Sequence, residues 1–318
     1  MEHKSEVVIL MATYNGAEYL REQLDSIVHQ DFTDWTLLVS DDGSFDFTPQ
    51  ILEEYAQRFP ERIFLLKKDT PGGSAKKNFL LLTANAEQAG GFSYVMYSDQ
   101  DDCWDPGKIR LTLRKMRETE AGHPETHCLV HTDLRVADER LAILAPSFFQ
   151  YSGIRPERDQ LPMLLVQNVV TGCTMMLNRS LWQLAVRQAD PEKIQMHDWW
   201  FALLAAAAGK IGLEPHATIA YRQHGSNSVG AQTGHGTQMV VSGMKKGGAN
   251  RRQLTDSMVQ AGLLLKTIPD CLTKPQKELL RAYADGAEKG KWYRVKTSLR
   301  YGIWKSSFIK RIAQVLYD

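Results

Sequence analysis

Residues 7–48, VVILMATYNGAEYLREQLDSIVHQDFTDWTLLVSDDGSFDFT, decide the fold of this chain. The stretch contains two short apolar runs, at 7–12 and 35–40, and each run stops at a cluster of polar turn residues. A short apolar run bounded by turn residues is typical of a strand that is buried on both faces. Between the runs, residues 18–30 place apolar side chains at helical spacing. The pattern therefore predicts a strand, a helix and a second strand of a parallel sheet.

The same alternation of strands and helices continues to residue 98. Thr48 and Pro49 have the residue types of a helix N-cap and of a first helical position. Alternating strands and helices predict an α/β fold with a doubly wound parallel sheet, in which ligands bind beyond the carboxyl ends of the strands. After residue 125 the alternation loosens, and residues 250–318 contain helical patterns only. The further predicted elements are a helix at 48–59, a strand at 63–67, a helix at 75–86, a strand at 92–98, a strand at 128–136 and an apolar helix at 199–208.

Three polar clusters lie at the ends of predicted strands: Thr-Tyr-Asn-Gly at 13–16, Asp-Asp-Gly-Ser at 41–44 and Asp-Gln-Asp-Asp at 99–102. The third cluster is the most informative, because three carboxylates within four residues repel one another unless a positive charge lies among them. Oxygen ligands of this kind favour Mg²⁺ or Mn²⁺, so the cluster predicts a divalent metal site. An acidic turn exposed to solvent is the alternative.

The composition is that of a folded globular protein, with 43% hydrophobic and 24% charged residues. At 318 residues the chain can form one large core, or a catalytic domain with a smaller appendage. Its four cysteines are far apart, and their spacing indicates neither a zinc site nor a disulfide framework. The apolar stretch near the N-terminus has six residues, too few for a signal peptide or a membrane anchor, so we expect a cytoplasmic protein.

Charge is distributed unevenly along the chain. Residues 245–318 contain 16 Lys and Arg against 6 Asp and Glu, which leaves 22 against 31 for residues 1–244. A basic tail indicates an anionic partner, and a membrane surface, a lipid pyrophosphate and a nucleic acid all have the required charge. Residues 291–317 combine apolar and basic side chains at helical spacing, which predicts an interfacial amphipathic helix with Trp292 and Trp304 on its apolar side. A packing or dimerisation helix, and with it a homo-oligomer, is the alternative.

The ordered set of clusters, with residues 7–48 as its opening, resembles the glycosyltransferases known as family 2, tightly over about 6–110 and more loosely to about 230. Four further segments are similar to bacterial rhamnosyltransferases of cell-wall and capsular rhamnan synthesis: SDQDDCW, VTGCTMMLNRS, MHDWW and YRQHGSNSVG. The resemblance implies a GT-A fold, which is a Rossmann-like α/β fold that binds nucleotide sugars, followed by a C-terminal helical appendage. It implies a catalytic domain at 1–230, with a nucleotide-binding half at about 1–110 and an acceptor half at about 111–230. A flexible loop or linker at 231–250 and a helical basic tail at 251–318 complete this organisation.

The same resemblance implies roles for single residues. Asp101 matches the carboxylate that ligates the metal, with Asp99 in support and His224 as a third ligand. Asp42 matches an aspartate that binds the pyrimidine ring, and Arg222 is predicted to pair with phosphate. The nucleotide-binding residues implied in this way are Ala12, Thr13, Tyr14, Asn15, Asp42, Lys76, Asn78 and Asp99.

Inversion at the anomeric carbon requires a base that takes the proton of the acceptor hydroxyl. Asp198, in the MHDWW segment, matches an acidic residue of the family at the start of an acceptor-side helix, and we predict that it is this base. The alternative is that Asp198 is the N-cap of the apolar helix that follows it.

The predicted function is that of a hexosyltransferase, an inverting enzyme that moves L-rhamnose from dTDP-β-L-rhamnose to a lipid-linked glycan and forms an α-linkage. Within the same class, a UDP-hexose or UDP-N-acetylhexosamine transferase remains open. A nucleotidyltransferase needs a Gly-rich basic loop after its first strand, which residues 12–20 lack. A non-catalytic protein that binds nucleotide sugars has no use for Asp198 together with the Asp-Gln-Asp-Asp cluster at 99–102. The expected partners are the nucleotide sugar, the lipid-linked glycan and a membrane surface bound through the basic C-terminal helices, and no nucleic acid.

Overall fold

A computed structural model describes residues 4–68, 70–187, 190–225 and 247–317. The chain forms two compact units. Among the described residues, the first unit contains 4–148, 171–186 and 210–225, and we call it the sheet unit. The second contains 149–170, 187 with 190–209, and 247–317, and we call it the helical unit.

The sheet has nine strands, in the order β3-β2-β1-β4-β8-β6-β9-β5, with β7 paired to β6. Strands β3, β2, β1 and β4 are parallel, as the sequence predicts. The later strands join antiparallel, as in the pairs β4–β8, β6–β8 and β5–β9. The strands are β1 Val7–Thr13, β2 Trp35–Asp41, β3 Ile63–Leu65, β4 Tyr94–Ser98, β5 Cys103–Trp104, β6 His127–Ala137, β7 Ile143–Ala145, β8 Met176–Asn178 and β9 Gly209–Arg222. The sheet is therefore mixed, and it becomes antiparallel where the strand–helix alternation of the sequence loosens.

Helices of the sheet unit follow the predicted alternation. They are α1 Leu20–Val28, α2 Thr48–Arg58, α3 Ala75–Ala84 and α4 Lys108–Glu120, with α7 Arg179–Ala185 further along. The apolar face of α1, formed by Leu20, Leu24 and Ile27, is fully buried in one core with alternate residues of β1 and β2. Each such side chain contributes roughly 1.5–3 kcal/mol by leaving water. The apolar spacing of residues 18–30 thus attaches α1 to the sheet.

The start of α2 differs from the prediction that Thr48 is its N-cap. The helix begins at Thr48 itself, and Asp46 Oδ1 accepts a hydrogen bond from the Thr48 amide at 2.9 Å. The Thr48 hydroxyl instead accepts from the Gly16 amide at 2.8 Å. Asp46 Oδ2 accepts from the Ala17 amide at 3.0 Å, so both side chains tie the start of α2 to the turn after β1.

The helical unit is built around α8 His197–Ala208, which is buried almost all round. A helix that is apolar on every side must be covered on every side. Trp199 Nε1 donates to the Leu164 carbonyl at 2.6 Å, and Gln276 Nε2 donates to the Ala207 carbonyl at 2.9 Å. The other helices of this part of the chain are α5 Phe148–Ser152, α6 Leu161–Leu164, α9 Gly247–Thr267, α10 Lys274–Ala284, α11 Lys291–Tyr301 and α12 Phe308–Tyr317. The predicted linker at 231–250 lies outside the described residues except for 247–250, where α9 begins.

The prediction of one amphipathic helix across residues 291–317 is wrong. The first helix, α11, ends before Gly302, whose φ of +69° is the left-handed conformation that closes many helices. Trp304 lies in the connection to α12, where its carbonyl accepts a hydrogen bond from Arg158. Trp292 and Trp304 therefore do not share a helix. Among the described residues, no helix combines the length and the hydrophobicity that a membrane crossing requires.

Candidate active site

The turn after β1 is joined to the acidic turn after β4 by one side chain, Gln100. Its Oε1 accepts from the Tyr14 amide at 2.9 Å, and its Nε2 donates to the Tyr14 carbonyl at 3.0 Å. Gly16 leaves room for this contact, because a Cβ there would lie 2.2 Å from Gln100 Oε1. Asn15 adopts a φ of +47°, which its short polar side chain tolerates. The strand pairing places Ala12 beside Ser40 and Thr13 beside Asp41, so the predicted nucleoside turn adjoins the turn after β2.

Asp41, the last residue of β2, accepts hydrogen bonds from the protein at both carboxylate oxygens. Its Oδ1 accepts from the Thr13 hydroxyl at 2.9 Å and from the Ser44 hydroxyl at 2.6 Å. Its Oδ2 accepts from the Gly43 amide at 3.1 Å and the Ser44 amide at 2.8 Å. Ser44 Oγ in turn accepts from the Asn15 amide at 2.8 Å. Asp41 therefore shapes the loop.

Asp42, the predicted pyrimidine contact, is 9% exposed and is held by a second loop. Lys68 Nζ donates to its Oδ1 at 2.8 Å, the Gly72 amide also donates to Oδ1, and the Gly73 amide donates to Oδ2 at 2.9 Å. Gly73 has a φ of +77°, a conformation that glycine adopts without strain. Sequence reasoning missed Lys68, since a lysine shortly after a strand carries no distinguishing signal.

Asn78, a predicted donor contact, supports the same loop from within the protein. It is buried, its Nδ2 donates to the Ser40 carbonyl at 2.8 Å, and its Oδ1 accepts from Lys68 Nζ at 3.1 Å. Lys76 lies in the first turn of α3, where Ser74 is the N-cap, and it is half-buried. Contacts of Lys76 and Asn78 with a nucleotide stay predictions.

The acidic turn after β4 brings Asp99 and Asp102 together with Cys173. One ligand atom of each lies within 4.8 Å of the other two. Asp102 is fully buried; its Oδ1 accepts from the Arg222 amide at 3.2 Å, whereas its Oδ2 has no N–H or O–H donor among the described residues. Burial and the charges of Asp99 and Asp101 raise the pKa of Asp102 well above its usual range. Carboxyl oxygens that converge in this way, one of them buried, fit a divalent cation.

Cys173 was not singled out by the sequence, because Asp99 and Asp102 are more than 70 residues away from it in the chain. Lys108 is buried in the same unit, with Nζ 4.6 Å from the centroid of the Trp104 ring and no hydrogen-bond acceptor among the described residues. Burial lowers the pKa of Lys108 to about 8, against the opposing influence of Cys173 and Asp102.

The predicted metal ligands Asp101 and His224 are in contact, with His224 Nε2 2.7 Å from Asp101 Oδ2. Both side chains are largely buried. Asp99, the supporting ligand in the prediction, belongs to the cluster with Asp102 and Cys173. Carboxylate oxygens are the donors that Mg²⁺ and Mn²⁺ prefer, and an imidazole nitrogen is a common ligand of transition metals, so these residues fit the predicted ion.

Arg222 does not lie where a phosphate contact was predicted. It is 2% exposed, and its Nε donates to the Asp101 carbonyl at 2.8 Å. The other guanidinium nitrogens donate to the Glu139 carbonyl and to the Glu22 carboxylate. Arg222 therefore fixes the acidic turn from inside the sheet unit. The part of the YRQHGSNSVG segment that follows Gly225 lies outside the described residues.

Asp198 is half-buried in the first turn of α8, in the helical unit. The N-cap position is occupied by Met196, so the alternative that Asp198 is the N-cap is wrong. Asp198 Oδ1 accepts from the Trp199 amide at 2.5 Å. Its assignment as the catalytic base stays a prediction.

Comparison with known proteins identifies the family. The family model of glycosyl transferase family 2 matches residues 8–185, which is more than half of the chain. The chain therefore belongs to glycosyl transferase family 2 and is a glycosyltransferase. Asp99, Asp101 and Asp102 lie within the matched range, and so do the turns at 13–16 and 41–44.

Among curated proteins, the dTDP-rhamnosyl transferase RfbG of Shigella flexneri is 27% identical over 253 residues, covering 77% of this chain and 82% of the relative. The putative teichuronic acid biosynthesis glycosyltransferase TuaG of Bacillus subtilis is 28% identical over 178 residues, covering 55% of this chain and 63% of the relative.

Two solved structures share the fold. S. aureus TarS 1-349 in complex with UDP-GlcNAc superposes with a TM-score of 0.58 at 16% identity, covering 89% of this chain and 72% of that chain. The mannosyltransferase PcManGT from Pyrobaculum calidifontis, in complex with GDP-Man and Mn²⁺, gives a TM-score of 0.55 at 16% identity, covering 98% of this chain and 78% of that chain. These likenesses confirm the predicted GT-A architecture.

Proposed function

We propose that this glycosyltransferase is an inverting, metal-dependent rhamnosyltransferase that acts on a lipid-linked glycan in cell-wall polysaccharide synthesis. The observation that carries the proposal is the convergence of Asp99 and Asp102 with Cys173, next to the Asp101–His224 pair and beside two turns at strand ends. Support for rhamnose comes from the dTDP-rhamnosyl transferase among the relatives, and support for a cell-wall glycan from TuaG.

The donor in this proposal is dTDP-β-L-rhamnose, bound at the turns that contain Tyr14 and Asp42. Asp101, Asp99 and His224 would hold Mg²⁺ or Mn²⁺, which stabilises the negative charge of the departing diphosphate. Gln100 fixes the distance between the nucleoside turn and these ligands through its two hydrogen bonds to Tyr14.

In the transfer step, the acceptor oxygen forms a bond to the anomeric carbon as the bond from that carbon to the diphosphate oxygen breaks. The nucleoside diphosphate leaves from the opposite face, which inverts the configuration and gives an α-linkage. Asp198 takes the proton of the acceptor hydroxyl. A positioned general base contributes roughly 10²–10⁴-fold to the rate.

Asp198→Asn tests this assignment, because it removes the base with little change in shape. We expect transfer to fall by about 10²-fold or more while donor binding, measured by calorimetry, is unchanged. Asp256→Asn changes an exposed aspartate of the same unit and is the matched control. A normal rate for Asp198→Asn would remove Asp198 from the mechanism and leave the donor site standing.

The donor is tested with a panel of nucleotide sugars in the presence of Mn²⁺. A ligand that binds the folded state raises the melting temperature, so dTDP-rhamnose should stabilise the chain more than UDP-hexoses and UDP-N-acetylhexosamines at equal concentration. A larger shift with a UDP-sugar would favour the alternative within the class. Analysis of products separates the other classes: release of dTDP indicates sugar transfer, release of pyrophosphate indicates nucleotidyl transfer, and no turnover indicates a binding protein.

A lipid-linked acceptor lies at a membrane, and we propose that the chain binds the inner face of that membrane peripherally through its basic C-terminal helices. The first of these helices, α11, supports the idea. Trp292 is 82% and Leu299 is 68% exposed, whereas Thr297 and Ser298 of the same helix are buried. Residues 289–317 contain eight Lys and Arg and no acidic residue. Each basic residue near an anionic surface contributes about 1 kcal/mol.

Vesicles that contain anionic lipid test the membrane proposal by co-sedimentation at rising salt. The double variant Trp292→Ala/Leu299→Ala should release the chain at a lower salt concentration than the unmodified chain. Val259→Ala, which alters an exposed apolar residue of α9, is the control. If the unmodified chain ignores vesicles and the double variant instead turns an oligomer into a monomer, this face is an assembly surface.

A further inference from the structure

The ring of Tyr19, just before α1, contacts two cationic or ionisable side chains at the end of β9 and just after it. The guanidinium carbon of Arg222 is 4.4 Å from the centroid of the Tyr19 ring. The His224 ring centroid is 4.9 Å from the same ring, at an interplanar angle of 39°. One aromatic ring thus contacts both Arg222 and His224.

Both neighbours of Tyr19 bind the same residue, Asp101. Arg222 Nε donates to the main-chain carbonyl of Asp101 at 2.8 Å. His224 Nε2 lies 2.7 Å from the side-chain oxygen Oδ2 of Asp101. Tyr19, Arg222, Asp101 and His224 therefore form a closed ring of contacts. In this ring of contacts, Arg222 fixes the backbone of Asp101 and His224 fixes its carboxylate.

Arg222 is the most firmly anchored residue in this ring of contacts. It is buried, its guanidinium also binds the Glu139 carbonyl and the Glu22 carboxylate, and its amide donates to Asp102 Oδ1. His224 follows two residues later in the chain. The ring of Tyr19 is the contact that links the anchored Arg222 to His224.

We propose that Tyr19 is a positioning residue that holds His224 in register with Asp101, because its ring contacts both His224 and the anchored Arg222. The inference rests on the proposed metal site for its consequence, which is that the two ligands are placed before the ion arrives. A cation over an aromatic face is attracted by the negative face of the ring, more strongly when it is shielded from water. Ligands that are preorganised in this way bind more tightly, because less freedom is lost on binding.

The stack uses the ring of Tyr19 and not its hydroxyl. Burial raises the pKa of Tyr19, and so does the hydrogen bond of its hydroxyl with Glu18, an exposed residue outside the ring of contacts. Phenylalanine at this position therefore preserves the platform, whereas leucine removes it at similar size. This difference allows one position to supply both the test and its conservative control.

The experiment compares Tyr19→Leu and Tyr19→Phe in the full chain. Mn²⁺ affinity in the presence of dTDP is measured from the electron paramagnetic resonance signal of free Mn²⁺. We expect Tyr19→Leu to bind Mn²⁺ about tenfold more weakly, equivalent to about 1.4 kcal/mol, and Tyr19→Phe to remain within about twofold. Phe59→Leu removes another ring that faces an arginine, Arg58, in the same unit, and it should leave Mn²⁺ affinity unchanged.

A second measurement does not require a metal. The ¹⁵N chemical shifts of the His224 imidazole report its hydrogen bond to Asp101, and they should change in Tyr19→Leu and persist in Tyr19→Phe. If no variant, including the unmodified chain, binds Mn²⁺, the proposed metal site fails while the imidazole shifts still decide the role of Tyr19. Equal imidazole shifts in Tyr19→Leu and the unmodified chain would overturn the inference, as would equal effects of Leu and Phe.

Discussion

Two acidic turns of the sheet unit contain the same kinds of residue but differ in the hydrogen bonds that their carboxylates accept. In the turn at 41–44, Asp41 accepts four hydrogen bonds and Asp42 accepts three, all from groups of the protein. In the turn at 99–102, one oxygen of the buried Asp102 has no N–H or O–H donor among the described residues. One ligand atom each of Asp99, Asp102 and Cys173 lies within 4.8 Å of the other two. The supply of donors, and not the number of carboxylates, separates the two turns.

The difference has an electrostatic cause. A carboxylate that accepts several hydrogen bonds keeps its charge at little cost, whereas a buried carboxylate without them is destabilised. The pKa of Asp102 is accordingly raised by burial and by its acidic neighbours. In the proposed function, the turn at 41–44 is therefore part of the scaffold of the nucleoside pocket, and the turn at 99–102 would gain stability from a cation.

The largest effect that separates the turns should come from Asp101→Ala. Loss of a metal ligand removes several kcal/mol of charge stabilisation, so transfer should fall by about 10³-fold or more while the melting temperature stays near that of the unmodified chain. Asp99→Ala should reduce transfer less. Transfer assays with and without EDTA provide the measurement, and full turnover in EDTA would contradict the metal mechanism.

Asp42→Ala should affect stability instead. It leaves the largely buried Lys68 without its carboxylate and strips two backbone amides of their acceptor, so the free energy of unfolding should fall by about 3 kcal/mol. Denaturant unfolding measures this loss, with Glu53→Ala on the exposed side of α2 as control. An equal loss of unfolding free energy in Asp101→Ala and Asp42→Ala would contradict the difference between the two turns.

Mn²⁺ offers a direct contrast between the same two variants. At a concentration one hundred times its dissociation constant, an ion that binds only the folded state stabilises it by about 2.7 kcal/mol. We expect this stabilisation in the unmodified chain and in Asp42→Ala, each relative to its own metal-free form, and its loss in Asp101→Ala. Differential scanning calorimetry with and without Mn²⁺ is the measurement. Stabilisation that survives in Asp101→Ala would place the ion elsewhere.

The smallest effect concerns Gln100, which couples the acidic turn to the turn after β1. Gly16→Ala should displace Gln100, because the added Cβ meets its Oε1, and the lost hydrogen bonds to Tyr14 should cost about 1–2 kcal/mol. In a chain that already carries Gln100→Ala, the same substitution should cost about 1 kcal/mol less. Simple addition of the two effects would show that Gly16 and Gln100 act independently.

Much of the architecture follows from local patterns. The apolar runs at 7–12 and 35–40 form β1 and β2. The helix α1 lies within residues 18–30, where apolar side chains recur at helical spacing. The polar clusters that stop these runs lie at the carboxyl ends of parallel neighbours, as predicted. Such patterns are readable because each strand and helix must bury its own apolar face, whatever else the chain does.

The patterns failed where partners are distant in the chain. The single helix predicted at 291–317 is two helices, since the left-handed Gly302 ends the first one. Arg222, expected to face a phosphate, is buried against Glu22 and the Asp101 carbonyl. A residue type limits what a side chain can bind, but it does not select the partner from the rest of the sequence.

Local sequence patterns were enough to give the α/β class, the parallel start of the sheet and the family, and they predict the metal-ligand chemistry of residues 99–102. Each of these depends on residues close together in the chain. Tertiary packing was needed to show that the carboxylates of Asp41 and Asp42 accept hydrogen bonds from the protein, that Cys173 joins Asp99 and Asp102, and that Tyr19 contacts both Arg222 and His224. The physical reason is that charge stabilisation depends on distance and on access to water, and both are set only when remote segments pack together.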